Sequence, residues 1–105
     1  MANKEQLAIL EQGVAAWNKW REENPDAKID LRGADIDMDG YMIDLSNANF
    51  SNADIRGADF DFSDLTRADF RGSIIGVNNE GINRNRFTSF QGSDLTCAIF
   101  DNSSF

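Results

Sequence analysis

Large apolar residues fall at Leu45, Phe50, Ile55, Phe60, Leu65, Phe70 and Ile75, an unbroken step of five. Two positions before most of them stands a small residue: Ala48, Ala53, Ala58, Ser63, Ala68 and Ser73. A step of five matches neither the helical period of about 3.6 nor the strand period of about 2, so every unit must turn a corner. If the large residue and the small one before it both face inward, as alternate residues of an extended segment do, three residues remain to make the bend. The third position of a type II turn needs a positive φ, which favours Gly or Asn. That slot holds Gly33, Asn47, Asn52, Gly57, Gly72, Gly92 and Asn102. Phe62, Arg67 and Cys97 hold it elsewhere, which predicts a different turn type at those three.

Four such corners close a coil of about twenty residues, and coils stack at the inter-strand spacing of about 4.8 Å. Residues twenty apart are then expected above one another. Phe50, Phe70 and Phe90 would share one column, Ile55, Ile75 and Leu95 another, and Asp64 would lie beneath Arg84. The small residues are required because four large ones already fill each level.

The frame opens at Leu31, Ile36 and Tyr41, but Tyr41 to Leu45 is a step of four, as if one residue were missing. After Ile75, continuing by fives would bury Glu80 and Asn85; an unpaired buried carboxylate is expensive. Val77, Ile82 and Phe87 form an alternative inward set, with turn chemistry in Asn78–Gly81. The reading is a two-residue insertion cancelled by the short step from Phe87 to Phe90. Phe90, Leu95, Phe100 and Phe105 then resume the pattern.

Residues 4 to about 22 read as one helix. Asn3 can cap it and Gln6 completes a capping-box pattern. Leu7, Leu10, Val14 and Trp17 form an apolar stripe widened by Ala16 and Trp20, with Gly13 an unfavourable interruption. Asn24 before Pro25 marks the stop. A repeat stack needs an end cap, and this helix is the candidate. The organisation expected is thus 1–28 as a capping helix and 29–105 as the repeat stack, irregular at 41–45 and 76–89.

Length and charge narrow the functional classes. The 105 residues suit one domain, and ten basic against eighteen acidic side chains leave a net charge of −8. That disfavours direct contact with nucleic acid or anionic membranes and suits a basic partner. A lone cysteine, Cys97, permits no internal disulfide and fits a reducing compartment. The opening MANKEQLAILEQ lacks a signal-peptide pattern, so a cytoplasmic location is expected.

The run NANFSNADIRGADFDFSDLTRADFRGSII resembles the pentapeptide-repeat family, whose consensus is A(D/N)LXX, over residues 31 to 105 with gaps at 42–44 and 76–89. The segment from Gln12 to Ile36 also resembles the N-terminal helix and first repeat of many bacterial, notably cyanobacterial, members. The resemblance implies an all-β solenoid: a right-handed quadrilateral parallel β-helix of about four coils, capped by one N-terminal α-helix. It implies little about function, although a minority of members modulate DNA gyrase by imitating DNA.

Enzymatic signals are missing from the sequence. It has no histidine, Cys97 has no base in its repeat, and no phosphate-cradling glycine loop occurs. No cofactor is expected. Asp35, Asn49, Asp54, Asp59, Asp64, Asp69 and Asp94 each precede a core residue and read as hydrogen-bonding surface groups of the repeat. Asp35, Asp37, Asp39 and Gly40 match the opening of a calcium loop, but its twelfth position is Ser46 rather than a bidentate Glu. Weak calcium binding at 35–46 is the third functional reading. DNA mimicry towards a DNA-binding enzyme is the second, resting on net charge, with Arg56, Arg67, Arg71, Arg84 and Arg86 interrupting the acidic surface.

The first reading is a non-enzymatic structural or protein-interaction module. Met42, Phe62 and Ile82 are twenty apart, and Phe62 occupies an outward slot. The segment 76–89 is expected to fold over Phe62; failing that, the column is a patch for a protein partner. Phe105 is an inward position with no polar cap, which predicts a homodimer through the C-terminal coil.

Overall fold

The computed structural model describes residues 2–36, 43–79 and 86–105. The expected single helix is two: α1 (Lys4–Glu11) and α2 (Val14–Glu23). Gly13, at φ 112°, breaks them apart and begins α2 in a conformation L side chains rarely adopt. Asn3 caps α1 as expected, accepting from the amides of Glu5 and Gln6. Gln6 does not complete a capping box. Its amide faces the repeat stack instead, donating to Lys28 O and accepting from Asp30 N–H.

The rest of the chain is a solenoid held by four parallel ladders. One runs through Asp30, Asp54, Ile74 and Ser104; the second through Asp35, Asp59 and Ser89. The third joins β1 (Ile43–Asp44), β2 (Ser63–Asp64) and Asp94, and the fourth joins Asn49, Asp69 and Ile99. The stack is therefore three full coils and the first side of a fourth. A typical rung has Phe50 N–H donating to Asp69 O at 2.7 Å and Asp69 N–H donating to Ala48 O at 2.9 Å. Each coil thereby satisfies the backbone of the one below.

The inward residues form the core. Leu31, Phe50, Ile55, Phe60, Leu65 and Phe70 are fully buried, as are Ala48, Ala53, Ala58 and Ala68. Rings stack vertically, Phe50 on Phe70 at 5.2 Å and Phe70 on Phe100 at 5.0 Å, while neighbours around a level meet edge to face. Both arrangements are preferred by aromatic quadrupoles.

Most corners share one form. Ala53 N–H donates to Phe50 O and Ala68 N–H to Leu65 O, each closing a turn whose third residue is left-handed. Phe62, Arg67 and Cys97 were expected to need another turn type, and they do not: their φ values are 57°, 60° and 59°, like Asn52 at 59°. The ladder dictates the corner, and these side chains accept a strained conformation that glycine would adopt without cost.

Coil length departs from twenty at both irregular places. Asp30 pairs with Asp54 and Asp35 with Asp59, twenty-four residues on. The next described side after Ile36 is Leu45, so the slip is four residues added rather than one removed; Tyr41 lies outside the described residues. Asp59 pairs with Ser89 and Asp64 with Asp94, thirty residues on. The break after Ile75 is thus a ten-residue excursion, not a two-residue slip. It leaves the stack as an antiparallel pair, β3 (Val77–Asn78) with β4 (Arg86–Phe87), and Phe87 is 67% exposed rather than inward.

The columns change accordingly. Phe50 and Phe70 are vertical neighbours as expected, and so are the Ile55 and Ile75 levels. Phe90, however, stacks on Phe60, Phe100 continues the Phe70 column, and Leu95 follows Leu65. Asp64 lies next to Asp94 rather than Arg84, which is outside the described residues.

Candidate functional site

The outward aspartates are engaged with their own corners. Asp30, Asp54 and Asp69 each hold an arginine two residues on: Asp69 accepts from Arg71 Nε at 2.9 Å, Nη2 at 2.7 Å and the Arg71 amide at 3.0 Å. Arg32 and Arg56 make the same fork with Asp30 and Asp54. Where the second residue is Ser or Thr, its hydroxyl takes the place of the fork, as Thr66 does on Asp64 at 2.6 Å and Ser46 on Asp44 at 2.6 Å. The arginine forks hold the Asp30 and Asp69 carboxyls below the usual range, and the hydroxyl bonds do the same for Asp44 and Asp94. Each carboxylate fixes the bend that follows it.

Asp59 and Asp61 depart from this pattern. Asp61 accepts from Ser89 Oγ and from the Gln91 amide, tying one coil to the next. Asp59 feels the charges of Asp61 and Asp35, and its Oδ2 lies 3.4 Å from Arg86 Nη2. Partial burial pushes its pKa up, with repulsion from Asp61 and Asp35 adding to the shift. Asp37 and Asp39, the other proposed calcium ligands, lie outside the described residues. Among the described residues no three metal-ligating side chains converge.

Among the described residues of the excursion, Asn78 and Arg86 lie at the corner of Gly33 and Gly57 rather than at Phe62. Phe62 is 47% exposed and its ring lies over Gly92, where a Cβ would fall 2.6 Å from ring Cδ1. The residue following Phe62 in its column is therefore Gly92; Met42 and Ile82 lie outside the described residues. The β3–β4 pair folds instead onto the corner of Gly33 and Gly57, with buried Asn78 against both. Thr88 closes its base, donating from Oγ1 to Ile55 O and from N–H to Gly76 O.

The two ends of the stack differ. At the first coil, Trp17 Nε1 donates to Asn49 O at 2.8 Å, and Arg21 donates to Asn49 O and Ser51 O. Asn18 accepts from Asn49 N–H and donates to Asn47 O, acting as a peptide unit of a missing coil. Gln6 does the same for Lys28 and Asp30. These polar groups were not legible as functional, because a polar helical face ordinarily reads as solvated. At the last coil, Phe90, Leu95 and Phe100 are half-buried and Phe105 is 88% exposed. Cys97 is an exposed thiol at a corner.

A shallow polar groove lined by Ser51, Asn52, Arg71, Gly72 and Asn102 follows another corner. The Cα extents of 31 × 29 × 28 Å are nearly equal, so the molecule is not a rod. No described helix is long and apolar enough to cross a membrane.

This is the arrangement of a repeat solenoid. Pentapeptide repeats match residues 43–73 in eight copies, the regular middle of the stack. Among solved structures, a pentapeptide repeat protein from the Arabidopsis thaliana thylakoid lumen is 36% identical, with a TM-score of 0.28. The match covers 66% of this chain and 42% of that one, so the chain spans under half of that protein's length. A pentapeptide repeat protein from Nostoc PCC 7120 is 19% identical over 79% of this chain and 74% of its own, with a TM-score of 0.33. No curated protein matches the sequence.

Proposed function

We propose that the chain is a non-enzymatic structural and protein-interaction module, built as a right-handed quadrilateral parallel β-helix. The observation that carries this reading is the use of the outward carboxylates. Asp30, Asp54 and Asp69 are committed to arginine forks, and Asp44, Asp64 and Asp94 to hydroxyls of their own corners. Groups held this way stiffen a surface; paired acid–base catalysis instead needs carboxylates converging on a substrate with separated pKa values. What remains is a rigid scaffold with flat sides and ends that differ in how their backbone edges are satisfied. The lone thiol suits a reducing, cytoplasmic setting.

The test is capture from native lysate on the immobilised chain, beside a Phe62→Asp variant. Retention of a defined partner at near-equal stoichiometry supports the reading. A co-purifying enzymatic activity abolished by substituting one ladder aspartate would overturn it.

A further inference from the structure

Building on the interaction-module reading, we propose that the sheet face of the third ladder is the docking surface for an arginine-bearing protein segment. Across that ladder Asp44 pairs with Asp64 and Asp64 with Asp94, so three carboxylates stand one above another. Like charges directly opposite in a sheet destabilise it. On the first ladder Arg32, forked onto Asp30, lies 3.9 Å from the Asp54 carboxylate and offsets the same repulsion. Among the described residues no cation pairs with Asp44, Asp64 or Asp94. The third face is left with a charge that a partner can neutralise.

The two kinds of corner also leave different atoms over. An arginine fork takes both oxygens of its carboxylate, as Arg56 does on Asp54 and Arg71 on Asp69. Ser46, Thr66 and Thr96 instead bring hydroxyl and amide to Oδ1 alone. Oδ2 of Asp44, Asp64 and Asp94 takes no bond among the described residues, which leaves a column of acceptors at the inter-strand spacing of about 4.8 Å. A guanidinium, planar and with five donors, can bridge carboxylates spaced this way. A metal ion fits less well, since no three metal-ligating side chains converge among the described residues. Phe62 stands half-exposed at the corner that leads into β2 and offers an aromatic surface to the same cation. The net charge of −8 steers a basic segment towards the molecule, and the uncompensated column selects where it lands.

The test is titration of the isotopically labelled 105-residue chain with a capped nine-residue peptide of alternating arginine and serine, followed by amide shifts. Saturable binding is expected, with shifts concentrated on Asp64, Thr66, Asp94 and Thr96. It should weaken at least about tenfold as salt rises from about 0.05 M to about 0.5 M. Asp64→Asn combined with Asp94→Asn should weaken it at least about tenfold at low salt. That pair keeps its corners, because asparagine already serves at Asn49, where Oδ1 accepts from the amide and hydroxyl of Ser51. Phe62→Gly should weaken binding by about two- to fivefold. Glu22→Gln combined with Glu23→Gln, an equal charge change at the exposed end of α2, should alter it less than about twofold. Equal weakening by the two charge pairs, shifts spread over all four ladders, or no saturation by about 1 mM peptide overturns the proposal. If the asparagine pair still retains the partner that the parent chain captures from lysate, this face is refuted and the interaction-module reading survives.

Discussion

The ring of Phe62 lies over Gly92 in the next coil, occupying the space a side chain there would need. Phe62 holds a left-handed corner at φ 57°, a conformation costing roughly 1–2 kcal/mol for an L residue. About half of the residue is covered in return, which offsets much of that cost. Phe62→Gly should therefore change stability by less than about 1 kcal/mol in chemical denaturation. Gly92→Ala meets both the ring and its own φ of 71°, and should cost about 1–3 kcal/mol.

Gly57 plays the matching part under the excursion. A Cβ there would fall 2.5 Å from Asn78 Cβ and 3.0 Å from Arg86 O, with φ at +70°. Gly57→Ala should lift β3 and β4 off the corner. Hydrogen exchange at Asn78 and Phe87 is expected to accelerate at least about tenfold while amides of Phe50 and Phe70 keep their protection. Equal acceleration everywhere would mean global destabilisation instead.

Two serines in one column make opposite predictions. Ser63 Oγ is fully buried and finds no hydrogen-bond partner among the described residues. Ser93 Oγ donates to Phe60 O at 2.6 Å and accepts from Ser63 N–H at 3.3 Å. Ser63→Ala removes an unsatisfied hydroxyl and should stabilise by about 1 kcal/mol, whereas Ser93→Ala should destabilise by about 1 kcal/mol. Melting temperatures of the pair decide the matter.

The cap is testable through Asn18. Its amide serves the Asn49 N–H and the Asn47 carbonyl, so Asn18→Ala leaves both unpaired at a strand edge. A loss of about 1–3 kcal/mol is expected, with exchange at the Asn49 amide rising first. Asn18→Asp keeps the acceptor alone and should recover part of the loss.

The solenoid is legible in the sequence because the step of five is rigidly enforced from Leu45 to Ile75: every large residue must face one axis. Its extent beyond Ile75 is not. Periodicity reports that a frame has broken but not how many residues leave the stack, so Phe90 is assigned to Phe70 when it belongs over Phe60. Turn propensity misleads in a similar way at Phe62, Arg67 and Cys97, where stacking overrides local preference. Nor can a helix pattern reveal that Gln6 and Asn18 face a ladder edge, since pairing with a distant backbone leaves no local trace. Of the candidate site residues, Phe62 is 47% exposed and Phe105 88%, although the frame gives Phe105 an inward slot; the neighbour of Phe62 depends on the length of the excursion.

Acid should act on the stack in two opposed steps. Asp59 has its pKa raised by partial burial, so the folded state takes up its proton more readily than the unfolded chain. Its contribution to stability therefore improves as pH falls through that raised value. Asp30 and Asp69 are lowered, first by the hydrogen bonds from Arg32 and Arg71, and Asp44 and Asp94 by those from Ser46 and Thr96. Their stabilisation is complete above the unfolded carboxyl pKa of about 3.9 and is lost as pH falls through the lower folded values. Urea midpoints taken downward from pH 7 should hold level or rise slightly, then drop below about pH 4. Asp59→Asn should abolish the early rise and leave the drop, because the corner aspartates still lose their bonds on protonation. Asp69→Asn should lower the midpoint at neutral pH and make the acid drop shallower; a drop of unchanged depth would show that the Arg71 fork contributes nothing to folding.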